Sequence, residues 1–409
     1  MRILHFSDVH IGVENYGRVD PNTGLSSRLT DFLQTYDEVV EYALANEVDL
    51  VLFCGDAYKS RDPSQTHQRA FAQRIARLSA AGIPVFLLVG NHDLPHTSGK
   101  ASALDIFPTL SVPNIYIGER LDTYLVSTKS GALQIVALPW IRRGSFLARE
   151  DMRGLSPEQV NERIQESLTN HLRWQAEGLD PQTPSILAGH VSIGEAKTSS
   201  EQSMMLGKDH VLLHSSVALP YFDYVALGHI HKHQALGRNP MVVYSGSLQA
   251  IDFGEENDTK GFCVIELDPA LPAGRRLTDF QFHPVQARRF LTVTVDIQTT
   301  DDDPTEKVVK AILRHHIQGA IVRVNVRIPS ELEGHLDEAQ IRRALEQAHY
   351  LASVSKEVLR GRRTRLGSLQ SQTLNPQEAL RLYLTSKNTP AERIKTLMLN
   401  AESLMQEEP

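Results

Sequence analysis

Between residue 1 and about residue 270, one pattern recurs: an apolar run stops directly on a small polar cluster. Ile3-Leu4-His5-Phe6 runs into Ser7-Asp8-Val9-His10, and Leu50–Cys54 into Gly55-Asp56. Val85–Val89 stops on Gly90-Asn91-His92-Asp93, and Ile186-Leu187-Ala188 on Gly189-His190. Tyr224–Leu227 meets Gly228-His229-Ile230-His231, and Val242-Val243-Tyr244 meets Ser245-Gly246-Ser247. The runs are nearly continuous in apolar residues, as strands covered on both faces require. Helical patterns lie between several of them, over Leu29–Ala45 and over Gln65–Ala80, where Phe71, Ile75 and Leu78 share a side. Strand–helix–strand order predicts a layered α/β domain. In such sheets the ligand crevice lies beyond the carboxyl ends of the strands, where all six clusters fall.

A chain of 409 residues is too long for one core and implies two or three domains. A second unit begins near Arg288-Arg289. Phe290–Val295 alternates like a strand, and Glu306–His316 reads as a helix. Ala320–Ile328 sets Val322, Val324 and Val326 against Arg323, Asn325 and Arg327 on opposite faces, as a half-buried strand does. Leu336–Ala348 is helical in pattern, and Leu351–Val358 suits a third strand. The tail follows a basic stretch, Arg360–Arg365. Asn375-Pro376-Gln377-Glu378 and Thr389-Pro390-Ala391-Glu392 are helix starts with a cap residue, Pro at the first helical position and Glu at the third. The second helix sets Ile394, Leu397, Met398, Ala401, Leu404 and Met405 on one stripe. That stripe packs either on its own domain or on a partner. The expected boundaries are 1–275, 285–358, a linker over 359–374 and a helical tail over 375–409.

Composition excludes some classes. No apolar run approaches the ~20 residues of a membrane span, and the N-terminus enters a strand at once, unlike a signal peptide. A soluble, cytoplasmic protein is expected. Cys54 and Cys263 sit in apolar runs and read as buried, reduced thiols. With a net charge of −7, a nucleic-acid partner would need local positive charge or bound cations.

The clusters offer two carboxylates (Asp8, Asp56), one amide oxygen (Asn91) and four imidazoles (His10, His190, His229, His231). A lone strand-end His or Asp is ordinarily a hydrogen-bonding or capping residue; the joint occurrence is what points to metal. An Asp-x-His or His-x-His pair projects both side chains together where the backbone stays extended. The mixed N/O set suits Mn²⁺, Fe or Zn²⁺ and is richer in nitrogen than Ca²⁺ or Mg²⁺ sites. It is too large for one ion and suits two sharing a carboxylate. Two ions ~3.5–4 Å apart clamp a phosphate and activate the attacking water. The leaving oxygen then needs a proton donor, and His92 beside Asp93 fits that need.

These residues resemble the five motifs of the calcineurin-like metallophosphoesterases: Asp8-x-His10, Gly55-Asp56, Gly90-Asn91-His92-Asp93, Gly189-His190 and Gly228-His229-x-His231. Within that superfamily the chain is similar to the SbcD-type DNA double-strand-break-repair nucleases. Tyr244–Leu248, Asp252-Phe253-Gly254-Glu255 and Lys260-Gly261-Phe262 extend the likeness. The resemblance implies an αββα sandwich with a small α/β DNA-capping domain and a C-terminal helix-loop-helix that grips an SMC-like ATPase, SbcC. It implies a homodimer, DNA as substrate, and ATP-independent 3′-to-5′ exonuclease and endonuclease action. It also implies two Mn²⁺ per chain, with Mg²⁺, Fe²⁺ or Zn²⁺ as alternatives. One ion would take Asp8, His10, Asp56 and His231, the other Asp56, Asn91, His190 and His229. His92 would serve as the acid, oriented by Asp93. Where several relatives carry a second active-site histidine, this chain has Lys59. Lys59, Arg142, Arg143, Arg288 and Arg289 are candidate DNA-backbone contacts. A phosphatase or phosphodiesterase for small substrates, and a non-catalytic scaffold for the ATPase, are the competing readings.

Overall fold

A computed structural model describes residues 1–95, 97, 99–142, 155–199, 211–359, 376–387 and 389–406. Arg143, the basic run 360–365 and the rest of the linker after residue 359 lie outside the described residues, as does Asn375. Two compact units emerge: Met1–Val293 with Ile312–Val324 and Ala344–Ser353, and Thr294–Ala311 with Asn325–Arg343 and Val354–Pro409.

The first unit is built on two six-stranded sheets. In one, β1 (Arg2–Phe6), β2 (Leu50–Phe53), β3 (Val85–Leu88) and β4 (Ile115–Gly118) run parallel in that order. The other contains β5 (Asp122–Thr128), β6 (Gly131–Leu138), β7 (Ser185–His190) and β10 (Tyr224–Gly228). Between the last two lies a short pair, β8 (Ser192–Ile193) and β9 (Val211–Leu212). The second sheet is completed by β11 (Gln234–Arg238) and β12 (Met241–Tyr244) in the order β11-β12-β10-β7-β6-β5. The chain then returns to the first sheet, where β13 (Gly261–Leu267) pairs antiparallel with β1 and β14 (Leu277–Pro284) forms the edge.

Strand alternation explains the four layers. Ile3, Leu50, Leu52, Phe86 and Leu88 point to the inner face and meet Ile135, Ala137, Ile186, Ala188 and Ala226 of the opposite sheet. Their neighbours Leu4, Phe6, Val51, Phe53, Val85 and Leu87 point outward, onto α1 (Ser27–Ala45) and α2 (Gln65–Ala80). On the far side, Val136, Leu187 and Val225 pack on Ile164, Leu168 and Leu172 of the helix Pro157–Glu177. Both strand faces are therefore covered, and the expected αββα sandwich is the observed one. Ser26 and Ser64 cap α1 and α2 by accepting from the backbone of Arg28 and His67. Phe71, Ile75 and Leu78 of α2 are fully buried, each burial stabilising by about 1.5–3 kcal/mol. Cys54 and Cys263 are buried free thiols, raised by burial.

Beyond residue 290, β15 (Phe290–Asp296), β16 (Ile321–Pro329) and β17 (Tyr350–Leu359) form a three-stranded sheet. Val322, Val324 and Val326 are its buried face, as their alternation predicts. In the tail, the helices Pro376–Ser386 and Ala391–Gln406 pack on each other. Ile394, Met398 and Ala401 are half-buried, while Leu397 and Leu399 are exposed. No helix among the described residues is long and apolar enough to cross a membrane.

Candidate metal centre

The carboxyl ends of β1, β2, β3, β7 and β10 converge, and with them all seven proposed ligands. Among the described residues, three groups of side chains bring ligand atoms within 4.8 Å of one another: Asp8 with His10 and His231; His10 with Asp56 and His92; and Asp56 with His190 and His229. Asn91 Oδ1 lies 2.9 Å from His190 Nε2 and 3.1 Å from His229 Nδ1, which adds it to the third group.

The backbone reaches this arrangement by leaving the extended region. Asp8, His10, Asp56 and His229 have φ of 54°, 48°, 63° and 92°. The expectation that Asp8-x-His10 and His229-x-His231 aim together by staying extended is therefore corrected: left-handed residues turn these side chains inward. Each such residue costs about 1–3 kcal/mol and is retained where the surroundings fix it. Here Asp8 N–H donates to Gly55 O at 2.9 Å and His10 N–H to Asp56 O at 3.1 Å. Those bonds bind the loop after β1 to the loop after β2. Two glycines give the room. A Cβ on Gly90 would sit 2.2 Å from Asp56 Oδ1, and one on Gly228 would sit 2.1 Å from Cys54 O. Only glycine permits so close an approach.

Hydrogen bonds orient the rings. His190 Nδ1 donates to Cys54 O at 2.7 Å, so its Nε2 is left to face Asp56 Oδ2 at 3.3 Å. His231 Nδ1 lies 2.7 Å from Glu255 Oε1, so its Nε2 faces His10 Nε2 at 3.0 Å. Glu255 in turn pairs with buried Lys260 at 2.8 Å. A carboxylate behind a ligating imidazole fixes its tautomer and raises its basicity. The sequence alone did not assign Glu255; its signal was an acid in the Asp252–Glu255 stretch just after the Ser245–Ser247 strand end.

Asp56 occupies the middle. Its Oδ1 accepts the His92 N–H at 2.8 Å, and its Oδ2 lies 3.8 Å from His10 Nε2 as well as beside His190. Asp8 is fully buried, accepts from Ser7 Oγ at 2.5 Å and from His229 N–H at 3.0 Å. Burial raises the Asp8 carboxyl. Burial, the largest single effect, opposes charge on His190, but Asp56, Asp8 and the Cys54 carbonyl together lift that imidazole to about 9. Two carboxylates, an amide oxygen and four imidazoles turned onto one another are a donor set that fits divalent metal.

Asp93 departs from its expected role. Its carboxylate accepts three backbone N–H groups, from Gly90 at 2.9 Å, Asp56 at 2.8 Å and Ala57 at 2.9 Å. It clamps the loops after β2 and β3 together and does not bond the His92 ring. Burial, with the nearby Asp56 charge, pushes the Asp93 carboxyl up to about 6. His92 is held instead by a carbonyl: its Nδ1 lies 2.7 Å from Lys59 O. That bond leaves His92 Nε2 facing the centre, with the ring 5.0 Å from that of His10. Lys59 thus contributes its backbone, while its side chain is exposed.

A model of the calcineurin-like phosphoesterases matches residues 1–233. The chain belongs to that family. Members of the family bind divalent metals, and the groups above are this chain's candidates for them. Among its relatives is the SbcD subunit of the nuclease SbcCD of Staphylococcus epidermidis, 26% identical over 296 residues, or 72% of each chain. The SbcD subunit from Bacillus subtilis is 27% identical over 286 residues, covering 66% of this chain and 67% of that one. The DNA double-strand break repair protein Mre11 of Thermoplasma acidophilum is 26% identical over 260 residues, covering 63% and 58% respectively.

The basic candidates fare unequally in this phosphoesterase. Arg288 bonds Asp31 through Nε at 2.5 Å and through Nη2, and Gly319 O through Nη1 at 2.7 Å. Its guanidinium is spent inside the fold, which corrects its assignment to DNA. Arg289 is exposed, with Nη2 on His316 O at 2.8 Å. Arg142 Nη2 donates to Pro95 O at 2.5 Å.

Proposed function

We propose that this chain is a Mn²⁺-dependent, two-metal DNA nuclease acting in double-strand-break repair with an SMC-like ATPase, SbcC. The observation that carries the reading is the convergence of Asp8, His10, Asp56, Asn91, His190, His229 and His231 around a central Asp56, with His92 Nε2 facing the same space. The relatives' names, nuclease SbcCD and DNA double-strand break repair protein, supply the substrate class and the partner.

One ion is assigned to Asp8, His10, Asp56 and His231, the other to Asp56, Asn91, His190 and His229. Bound there, two divalent ions supply positive charge at the scissile phosphate and acidity for the attacking water. The chain's own groups do the rest. Cys54 O and Glu255 hold the rings of His190 and His231 so that their Nε2 atoms face inward. Lys59 O holds His92 with Nε2 toward the substrate, where it delivers a proton to the leaving oxygen. Asp93 keeps the two loops at the spacing the site requires. Residues 285–358 are assigned to DNA capping and 375–409 to the ATPase, in a homodimer that works on DNA in the cytoplasm as a 3′-to-5′ exonuclease and endonuclease. Lys59, whose side chain is exposed, Arg142 and Arg289 are the phosphate contacts that remain among the described sequence candidates.

The test is a substrate panel of plasmid, linear and hairpin DNA against a chromogenic phosphodiester, each with Mn²⁺. The reading expects linear and hairpin DNA to be cut. Turnover of the small diester alone would assign the chain to small substrates, and no turnover at all would make it a scaffold.

A further inference from the structure

One aromatic side chain walls the metal centre. The Trp140 ring lies 4.9 Å from that of His229 and 6.2 Å from that of His190. Its backbone N–H donates to Val89 O at 2.9 Å, which pins it beside the residue that precedes Gly90-Asn91. Trp140 also lines a cavity of about 390 Å³, whose walls include apolar Leu94 and Ile141. That volume falls within the ~300–1,000 Å³ of typical ligand pockets.

Among the described residues, the charged side chains of this cavity lean positive. Lys100, Arg120 and Arg142 face Asp105 and Glu119. Asp105 already accepts the Ser102 N–H at 2.7 Å, and Glu119 lies 3.5 Å from Arg120. An indole, apolar walls and cations in excess of the acids, placed directly beside a phosphate-cleaving centre, are the parts that bind a nucleotide. The indole stacks a base whatever its identity, and the cations hold the backbone.

We propose that this cavity is the subsite for the nucleobase next to the scissile phosphate, stacked on Trp140. The proposal rests on the phosphodiesterase reading and adds a substrate requirement to it. The enzyme senses that a base is present and is indifferent to which base it is, because stacking needs only a flat π face. Trp140 also couples the subsite to the chemistry, since the ring that holds the base packs against His229.

The chain has two tryptophans, and the other, Trp174, is 67% exposed on its helix. In a Trp174→Phe variant, Trp140 is the sole indole reporter. This variant is titrated in EDTA, so that nothing is cleaved, with a thymidine dinucleotide and with its abasic counterpart. The expected result is saturable quenching by the base-bearing probe, with Kd on the order of 10- to 100-fold lower than for the abasic probe. A Trp140→Phe variant, read by competition against a labelled dinucleotide, should keep most of that preference, and Trp140→Ala should lose it. Equal affinity for the two probes, or no quenching by either, overturns the subsite. The outcome is independent of the nuclease reading: a protein that prefers the base-bearing probe but cuts no DNA keeps the subsite and loses the nuclease, and the converse loses only the subsite.

Discussion

Glu255 Oε1 lies 2.7 Å from His231 Nδ1, while Glu255 Oε2 lies 2.8 Å from Lys260 Nζ, and all three residues are buried. One carboxylate therefore fixes the tautomer of a proposed ligand and neutralises a buried lysine. Replacing Glu255 by Gln separates the two duties. The uncompensated lysine should cost about 3–5 kcal/mol in urea unfolding. Metal affinity at one of two sites should fall about 10- to 100-fold by titration. Adding Lys260→Met should restore most of the stability and none of the metal affinity. Full recovery of both would mean that Glu255 serves the fold alone.

Asp93 should behave as a clamp. Asn at this position keeps one acceptor oxygen, which can serve at most two of the three N–H groups that the carboxylate now serves. The buried donor left over should cost about 1–3 kcal/mol, read as a lower urea midpoint together with weaker metal retention. A residue whose task was to orient His92 would instead shift the pH–rate profile and leave the midpoint in place.

For His92, the prediction concerns chemistry. His92→Ala should slow DNA cleavage about 10²- to 10⁴-fold while elemental analysis still finds about two ions per chain. The ring stands 5.0 Å from His10 but is held by a carbonyl outside the ligand set. Loss of an ion together with activity would make His92 a ligand.

Much of this site is legible in the residue order, and the reasons are local. An apolar run that stops on Asp, His or Asn announces a strand end beside a crevice, so the convergence of seven side chains can be read from the sequence. How they converge cannot. Left-handed backbone at Asp8, His10, Asp56 and His229 replaces the extended spacing that the sequence suggests. The Asp93–His92 pairing fails for a related reason: adjacent residues on a turn point apart, and Asp93 finds backbone donors in the loop after β2. Arg288 misleads because its partner, Asp31, is 257 residues away in sequence. The helix Pro157–Glu177, which closes the fourth layer, carries its own start signal in the sequence, Ser156-Pro157 with Gln159 completing a capping box.

A pH effect arises away from the centre. His5 is buried between the two sheets with its ring nitrogens on Tyr224 OH and Leu227 O, and burial holds it down to about 3. Its folded value lies below the unfolded one, so between pH ~3 and ~6.5 the unfolded chain binds the extra proton and stability falls as pH falls. Between pH 7 and pH 5 the wild type should lose about 2 kcal/mol more than a His5→Gln variant in urea unfolding. Identical losses would show that His5 is not buried as a neutral ring.

The central claim is that the seven converging side chains form a two-metal centre that hydrolyses DNA. The most direct measurement is degradation of linear duplex DNA by the purified chain, with Mn²⁺ against EDTA, alongside Asp56→Asn. The account predicts Mn²⁺-dependent, ATP-independent degradation that EDTA abolishes and that Asp56→Asn reduces by at least ~10²-fold, since Asp56 belongs to two of the three ligand groups. Degradation that persists in EDTA, or an Asp56→Asn protein as active as wild type, would contradict it.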